Sequence, residues 1–284
     1  MSVLAAALAP AIAHADAPPP PAPDKHAYTL FNPTPDAALR SLCTDRPTKS
    51  TGPCTVDAGH WQVEADVANV TIDHSGGMDT TTTLGPNPTI KFGLTNTIDA
   101  ELNFAPYVEV TTKDRSTGVT THASGVSDLY AKLKVNLIGD DGGDLAVAIV
   151  PYVKAPTAPA SIGNRAVEAG IIAPVSINLP ASWSLTIDPE LDLLKNAADN
   201  GRHLNASGLL SFSRPASKTV TLSVELWADA NYDPQKTVTQ VSADLGAAWI
   251  PASMPNVQFD GGVNFGLNSV TPAAQVYVGI SRRF

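Results

Sequence analysis

The chain closes on Ala274-Gln275-Val276-Tyr277-Val278-Gly279-Ile280-Ser281-Arg282-Arg283-Phe284, and the period of this stretch decides the fold. Successive side chains of a strand point to opposite faces. One face therefore carries Ala274, Val276, Val278, Ile280, Arg282 and Phe284, and the other carries Gln275, Tyr277, Gly279, Ser281 and Arg283. A helix would scatter both sets around a cylinder. Arg282 is the exception in the apolar row. At a membrane rim its stem snorkels to the headgroups, where a charge costs about 0–1 kcal/mol instead of the roughly 2–4 of the bilayer midplane.

The same period runs backward through the chain. In residues 257–268, Gln258, Asp260, Asn264 and Asn268 share one face, and apolar residues or glycine hold the other. In 220–232 the apolar row runs from Val220 to Tyr232, opposite Thr221, Ser223, Glu225, Trp227, Asp229 and Asn231. In 183–193, Ser184, Thr186, Asp188, Glu190 and Asp192 form the polar row. Such segments number about twelve, over 60–72, 84–94, 98–111, 126–137, 144–154, 167–179, 182–195, 203–213, 219–232, 239–250, 256–268 and 273–284. The second is weakened by Pro86 and Pro88, and the first loses clean alternation after Val67.

Short connections at 95–97, 139–143, 180–181, 214–218 and 251–255 alternate with longer or more polar ones, chiefly 73–83, 112–125 and 155–166. An even strand count and alternating loop lengths belong to a transmembrane barrel with both barrel ends at one rim. The expected fold is all-β: an antiparallel up-and-down barrel over 59–284, preceded by an irregular segment. A soluble β-sandwich would show the alternation without a reason for the loop asymmetry.

Composition agrees. The 284 residues are 43% hydrophobic, yet mean hydropathy is close to zero, so the apolar residues are dispersed. No run of roughly 20 apolar residues exists to form a membrane helix. A barrel strand needs only about 10 residues with every second one facing lipid. A net charge of −9 without a basic stripe excludes nucleic acid as a partner, since phosphate binding needs clustered Lys and Arg.

Residues 1–17 pair an apolar stretch with a small-x-small ending at His14-Ala15-Asp16-Ala17, as in a cleavable export signal. A positive n-region is missing, as in a signal with a truncated start. Residues 18–58 begin with a Pro-rich extended spacer (Pro18 to Pro23) and have no sustained period, apart from a helical turn expected near Asp36–Arg40. The two cysteines, Cys43 and Cys54, lie in this segment. In an exported chain they read as one disulfide, worth roughly 2–3 kcal/mol on the loop-entropy model. His60 alone does not complete a metal site.

The inward rows hold the residues of chemical interest. Candidate lumen-lining groups are Glu64, Asp66, Lys91, Asp99, Glu101, Asp128, Lys132, Lys134, Asp188, Glu190, Asp192, Glu225, Trp227, Asp229, Asp244 and Asp260, with Glu109, Lys154, Glu168 and Arg283 sharing the same register. Three readings stand side by side: lumen solvation with cross-strand pairing, an acidic pore that concentrates cations, and a glycosidase-type carboxylate pair. No phosphate-binding, dinucleotide or paired-histidine zinc motif is present, so no cofactor is expected. His203 and Ser207 lie four apart on one strand face. That differs from the two-residue spacing of outer-membrane phospholipases and falls on the lumenal face, so the expectation is a non-enzyme. Trp61, Trp183, Trp249 and Tyr232 fall near strand ends on the outward register, as interface anchors do.

Leu42-Cys43-Thr44-Asp45-Arg46-Pro47, then Thr55-Val56-Asp57-Ala58-Gly59-His60-Trp61-Gln62-Val63-Glu64, and later Ile90 to Asp99, resemble the transporter-like barrels of the "putative MetA-pathway of phenol degradation" family. The terminal Phe284, with alternate apolar residues before it, likewise resembles the signal read by barrel-assembly machinery. The family resemblance implies a passive bacterial outer-membrane channel or transporter for small solutes, aromatic or hydrophobic compounds among them. It implies that Thr44, Asp45, Arg46 and Pro47 tuck into the lumen as a plug, with Arg46 against Glu64 or Asp66. A non-conducting structural or adhesion barrel with an ion-pair-filled lumen is the alternative, and a lipid hydrolase the third reading.

Overall fold

A computed structural model describes residues 24–284. The expected export signal at 1–17 and the first part of the Pro-rich spacer lie outside the described residues. Twelve strands are present among those described. They are β1 (Trp61–Asp73), β2 (Met78–Leu84 and Asn87–Thr95), β3 (Ile98–Asn103 and Val108–Asp114), β4 (Thr120–Gly125 and Leu129–Ile138), β5 (Leu145–Ala155) and β6 (Glu168–Ile172 and Val175–Leu179). β7 (Trp183–Ile187 and Glu190–Lys195), β8 (Arg202–Pro215), β9 (Val220–Asn231), β10 (Val238–Trp249), β11 (Val257–Gly266) and β12 (Ala274–Arg283) complete the set.

Neighbours in sequence pair antiparallel. β1 closes the sheet on β12, from Gln62 opposite Arg283 to Ile72 opposite Ala274. Closure leaves no open edge along the barrel wall. The two segments of a split strand are counted together because both pair with the same neighbours: β1 pairs with both parts of β2, and those parts pair in turn with both parts of β3.

The splits have local causes. A proline has no N–H to give a ladder, and Pro86, Pro106, Pro174 and Pro189 lie in four of the interruptions. The lost alternation after Val67 is a register shift between Asp66 and Ala68, beside the Gly85-Pro86 break. Two expected long loops turn out to be strand. The segments over 73–83 and 112–125 extend β2, β3 and β4, leaving connections of only 74–77 and 115–119. Their threonines are β-branched and suit a pleated ladder, and Thr80 and Thr112 meet across it at 3.3 Å. Residues 156–167 remain irregular, as expected.

Burial is inverted relative to a water-soluble protein. Lys134 and Asp99 are 0% exposed, whereas Leu226 is 56% and Val276 54% exposed. Leucines and valines with no apolar partner need lipid against them. At the rim carrying both barrel ends, Trp61 stacks on Phe284 at 4.0 Å and on Phe92 at 6.5 Å. Arg282 lies over the Phe284 ring at 4.5 Å, so the one charge in the outward row folds onto an aromatic. Trp183 and Trp249 are exposed near the same rim and Tyr232 near the opposite one. No described helix is long and apolar enough to cross a membrane.

Candidate functional site

Residues 24–60 run along the rim that carries the barrel ends and then against the inward faces of the strands. A short 3-10 turn at Asp36–Ala38 leads to Arg40. Its guanidinium lies 3.1 Å from Asp140 and 2.9 Å from Asp141 in the β4–β5 turn, and it also donates to Asn96 in the β2–β3 turn. Lys25 reaches Asp141 at 2.9 Å. Burial raises the Asp140 carboxyl above its ordinary range despite Arg40. Burial also pushes on Asp141, but hydrogen bonds from Arg40, Asn96 and Lys25 prevail and bring it down to about 2. A disulfide joins Cys43 to Cys54, and the loop between them meets the barrel wall.

Two inward-facing glycines make room for this contact. A Cβ on Gly93 would stand 2.1 Å from the Asp57 carbonyl oxygen, and one on Gly279 2.0 Å from the Arg46 guanidinium. The periodic sequence shows both only as gaps in the polar row.

The expected inward residues divide into two unlike groups. On β1, β3 and β11, Glu64, Asp66, Glu101 and Asp260 have cations within 4.0 Å, whereas Asp99 meets a main-chain donor instead. Arg46 bridges Asp66 at 2.5 Å and Asp260 at 2.7 Å. Of its two expected partners only Asp66 is met. Glu64 instead lies 2.6 Å from Lys91 and accepts the Asp45 main-chain N–H. Asp45 is held by Lys91 at 2.5 Å and Lys134 at 3.0 Å. Glu101 shares Lys134 at 3.3 Å, and Asp99 accepts the Val56 N–H at 2.9 Å. Thr44 accepts no ion, but its hydroxyl donates to the Arg46 carbonyl, while Pro47 packs towards Gly246 of β10. Higher up, Lys154 joins Asp128 and Glu168 at 3.1 and 2.6 Å. Lys132 lines a small cavity with Lys91 and Glu101.

On β7–β10 the balance is lost. Among the described residues no Lys or Arg nitrogen lies within 4.0 Å of Asp188, Glu190, Asp192 or Asp229. Asp188 accepts the Thr51 N–H at 2.6 Å. The Tyr152 hydroxyl reaches Glu190 at 3.0 Å and Asp192 at 2.6 Å, but its one proton serves one carboxylate at a time. Asn205 donates to Asp192 and Asp229. Only the Glu225–Asp244 rung meets a cation, with Lys49 3.1 Å from Asp244 and 4.4 Å above the ring of Trp227.

Open space follows this same side. A cavity of about 420 Å³ lies between residues 42–53 and the Ser/Thr rows of β6–β10, among them Ser176, Thr186, Ser211 and Ser223. A second, of about 440 Å³, opens at the opposite mouth beside His203, Asp229, Asp233 and Gln240. The acidic row lies between them. Sequence periodicity placed these residues on a face, but it did not single out Lys49, Tyr152 or the Arg40–Asp140–Asp141 group. Arg40 and Lys49 sit in a stretch without a period, and the aspartates read simply as turn residues.

His203 donates or accepts through Nδ1 with Asn196 at 3.0 Å, and among the described residues no hydrogen bond joins it to Ser207. His203 also lies 3.5 Å from Asp233, so its near partners belong to the polar mouth.

A family model described as "Putative MetA-pathway of phenol degradation" matches residues 44–284. No curated protein sequence matches. Among solved structures, the COG4313 outer membrane channel from Pseudomonas putida F1 is similar with a TM-score of 0.64 at 12% identity, over 85% of this chain and 100% of that one. The β domain of the Bordetella autotransporter BrkA has a TM-score of 0.49 at 13% identity, over 79% and 99% of the two chains. The first likeness shows the shared fold, a closed antiparallel β-barrel.

Proposed function

Because the chain belongs to the family of that model, we propose that it is a passive outer-membrane channel for small solutes, with residues 24–58 acting as a fixed plug. The observation that carries this reading is the division of the lumen. Residues 40–57 are tied by ion pairs to β1, β2, β4, β11 and β12, while two separate polar cavities lie beside β6–β10, one towards each mouth. Rims follow from the barrel ends: with an even strand number both lie on the periplasmic side, which puts the Ser/Thr-lined cavity below and the His203 mouth outside.

The route is acidic. Four carboxylates without a counter-cation raise the local concentration of cations and oppose anions. A phenol suits such a wall as well, because its ring is apolar and its hydroxyl is a donor. Tyr152, whose hydroxyl lies within hydrogen-bond reach of Glu190 and Asp192 and donates to one of them at a time, already occupies that relation. The family description, with its reference to phenol degradation, supports small hydroxylated aromatics as solutes.

Planar-bilayer recording of the purified chain tests the proposal. The full protein is expected to conduct with a preference for cations, and deletion of 24–58 to raise conductance. A silent membrane with both forms overturns the channel reading and leaves the structural barrel with a filled lumen. Unchanged lipolysis in a Ser207→Ala variant disposes of the hydrolase.

A further inference from the structure

The plug touches the acidic wall through one short stretch, residues 48–51, which crosses to β7–β10 between the two cavities. We propose that Lys49 is the specificity-determining residue of this crossing and sets the ratio of cation to anion passage. The inference rests on the channel reading above and deepens it.

Glu225 and Asp244 face each other across the β9–β10 ladder and are 2% and 1% exposed. Two buried carboxylates on one rung repel each other strongly, because the interaction is weakly screened away from water. Lys49 answers both. Its main-chain N–H donates to Glu225 at 2.9 Å, its ammonium lies 3.1 Å from Asp244, and it donates to the Ser242 hydroxyl at 2.7 Å. The negative face of the Trp227 ring, 4.4 Å away, holds the ammonium from a further side. One oxygen of each carboxylate still has no hydrogen-bond partner.

Position distinguishes this lysine from Lys91 and Lys134. Lys91 and Lys134 are sealed, with side chains 3% and 0% exposed, whereas the Lys49 side chain is 28% exposed. Among the described residues it is the one Lys or Arg within 4.0 Å of a carboxylate on the lumenal face of β7–β10. Thr48 and Ser50 on either side line the lower cavity, so a solute leaving the upper acidic row passes the Lys49 ammonium next. A single positive charge there offsets part of the field of Asp188, Glu190, Asp192 and Asp229. Its loss exposes Glu225 and Asp244 to the route.

Reversal potentials in a KCl gradient test this on the full chain in planar bilayers. Lys49→Met is expected to raise the cation-to-anion permeability ratio about threefold to tenfold by strengthening the local field. Lys49→Glu should raise it further, and Lys49→Arg should leave it near the starting value. To separate charge from misfolding, Lys49→Cys is reconstituted with the Cys43–Cys54 disulfide intact and treated with a cationic aminoethyl methanethiosulfonate. The ratio should return towards that of the unmodified parent, while a neutral methanethiosulfonate of similar size should not move it. A conducting channel whose ratio is indifferent to Met, Glu and the cationic reagent overturns the role of Lys49. Absence of conductance in the parent and in the plug deletion overturns the channel reading itself, and this role with it.

Discussion

Two walls of one barrel, built from the same alternation of polar and apolar residues, have opposite electrostatic fates. On β1–β4, β11 and β12, Asp66, Asp260, Glu64 and Glu101 each lie within 4.0 Å of Arg46, Lys91 or Lys134. On β7–β9, Asp188, Glu190, Asp192 and Asp229 are served by neutral donors: Thr51, Tyr152 and Asn205. The difference teaches that facing and pairing are separate properties. The strand period decides which carboxylates look inward, whereas cross-strand lysines (Lys91 for Glu64, Lys134 for Glu101) and the course of residues 40–57 (Arg46 for Asp66 and Asp260) together decide which of them are neutralised. Burial of ions without pairing is costly, so the paired wall can close tightly on residues 40–57. The unpaired wall relies on neutral donors, and the two cavities lie along it.

The largest expected effect comes from breaking the paired wall. Arg46→Ala leaves Asp66 and Asp260 facing each other with side chains only 6% and 0% exposed. Loss of one member of a buried ionic group costs about 3–5 kcal/mol. Urea unfolding of the refolded barrel in lipid vesicles should show that loss, and recordings should show a larger conductance as the plug loosens. Equal stability of the variant and its parent would mean that Arg46 does not hold the plug.

Neutralising the other wall should do the reverse. The triple substitution Asp188→Asn, Glu190→Gln and Asp192→Asn removes mutual repulsion, so stability should change by less than about 1 kcal/mol. The cation-to-anion ratio should nevertheless fall about threefold or more as the local field weakens. A large loss of stability without a change in ratio would make this wall structural and erase the contrast.

The smallest effect concerns the fastening at the rim that carries the barrel ends. Asp141 has its carboxyl lowered from 3.8 to about 2 by Arg40, Asn96 and Lys25. A lowered carboxyl stabilises the folded form fully above its unfolded value, and that contribution is lost as pH falls through the folded one. The fastening of residues 25–40 should therefore hold above about pH 4 and weaken between 4 and 2. Hydrogen exchange over 25–40 should follow that window in the parent. The pH-dependent part should disappear in Asp141→Asn, and an unchanged profile in that variant would show that Asp141 does not fasten the segment.

Much of the barrel was legible because a strand between lipid and a polar lumen must alternate. Ten of the expected spans lie within a few residues of the observed strands, and even the irregularity after Val67 was visible as a break in the period. The lengths of β2, β3 and β4 were less legible. Threonine-rich runs such as Thr80–Thr83 read as polar connection and as strand alike, and only cross-strand pairing with 108–114 decides. The site was half legible for a related reason. Inward carboxylates and the strand lysines Lys91, Lys134 and Lys154 that meet some of them follow from parity, but other partners come from a segment without periodicity, where neither Lys49 nor Arg40 has a face to be read from.

The sequence by itself determined an inside-out β-barrel, with one polar row per strand, a disulfide-bearing segment ahead of it, and a final aromatic at the rim. These are local properties, carried by parity and spacing along the chain. The tertiary structure alone decided that the acidic lumen is two walls and not one. Its cause is a set of contacts between residues far apart in sequence: Arg46 with Asp260, Lys49 with Asp244, Thr51 with Asp188. Coulombic pairing depends on distance in space, and no period in the chain records it.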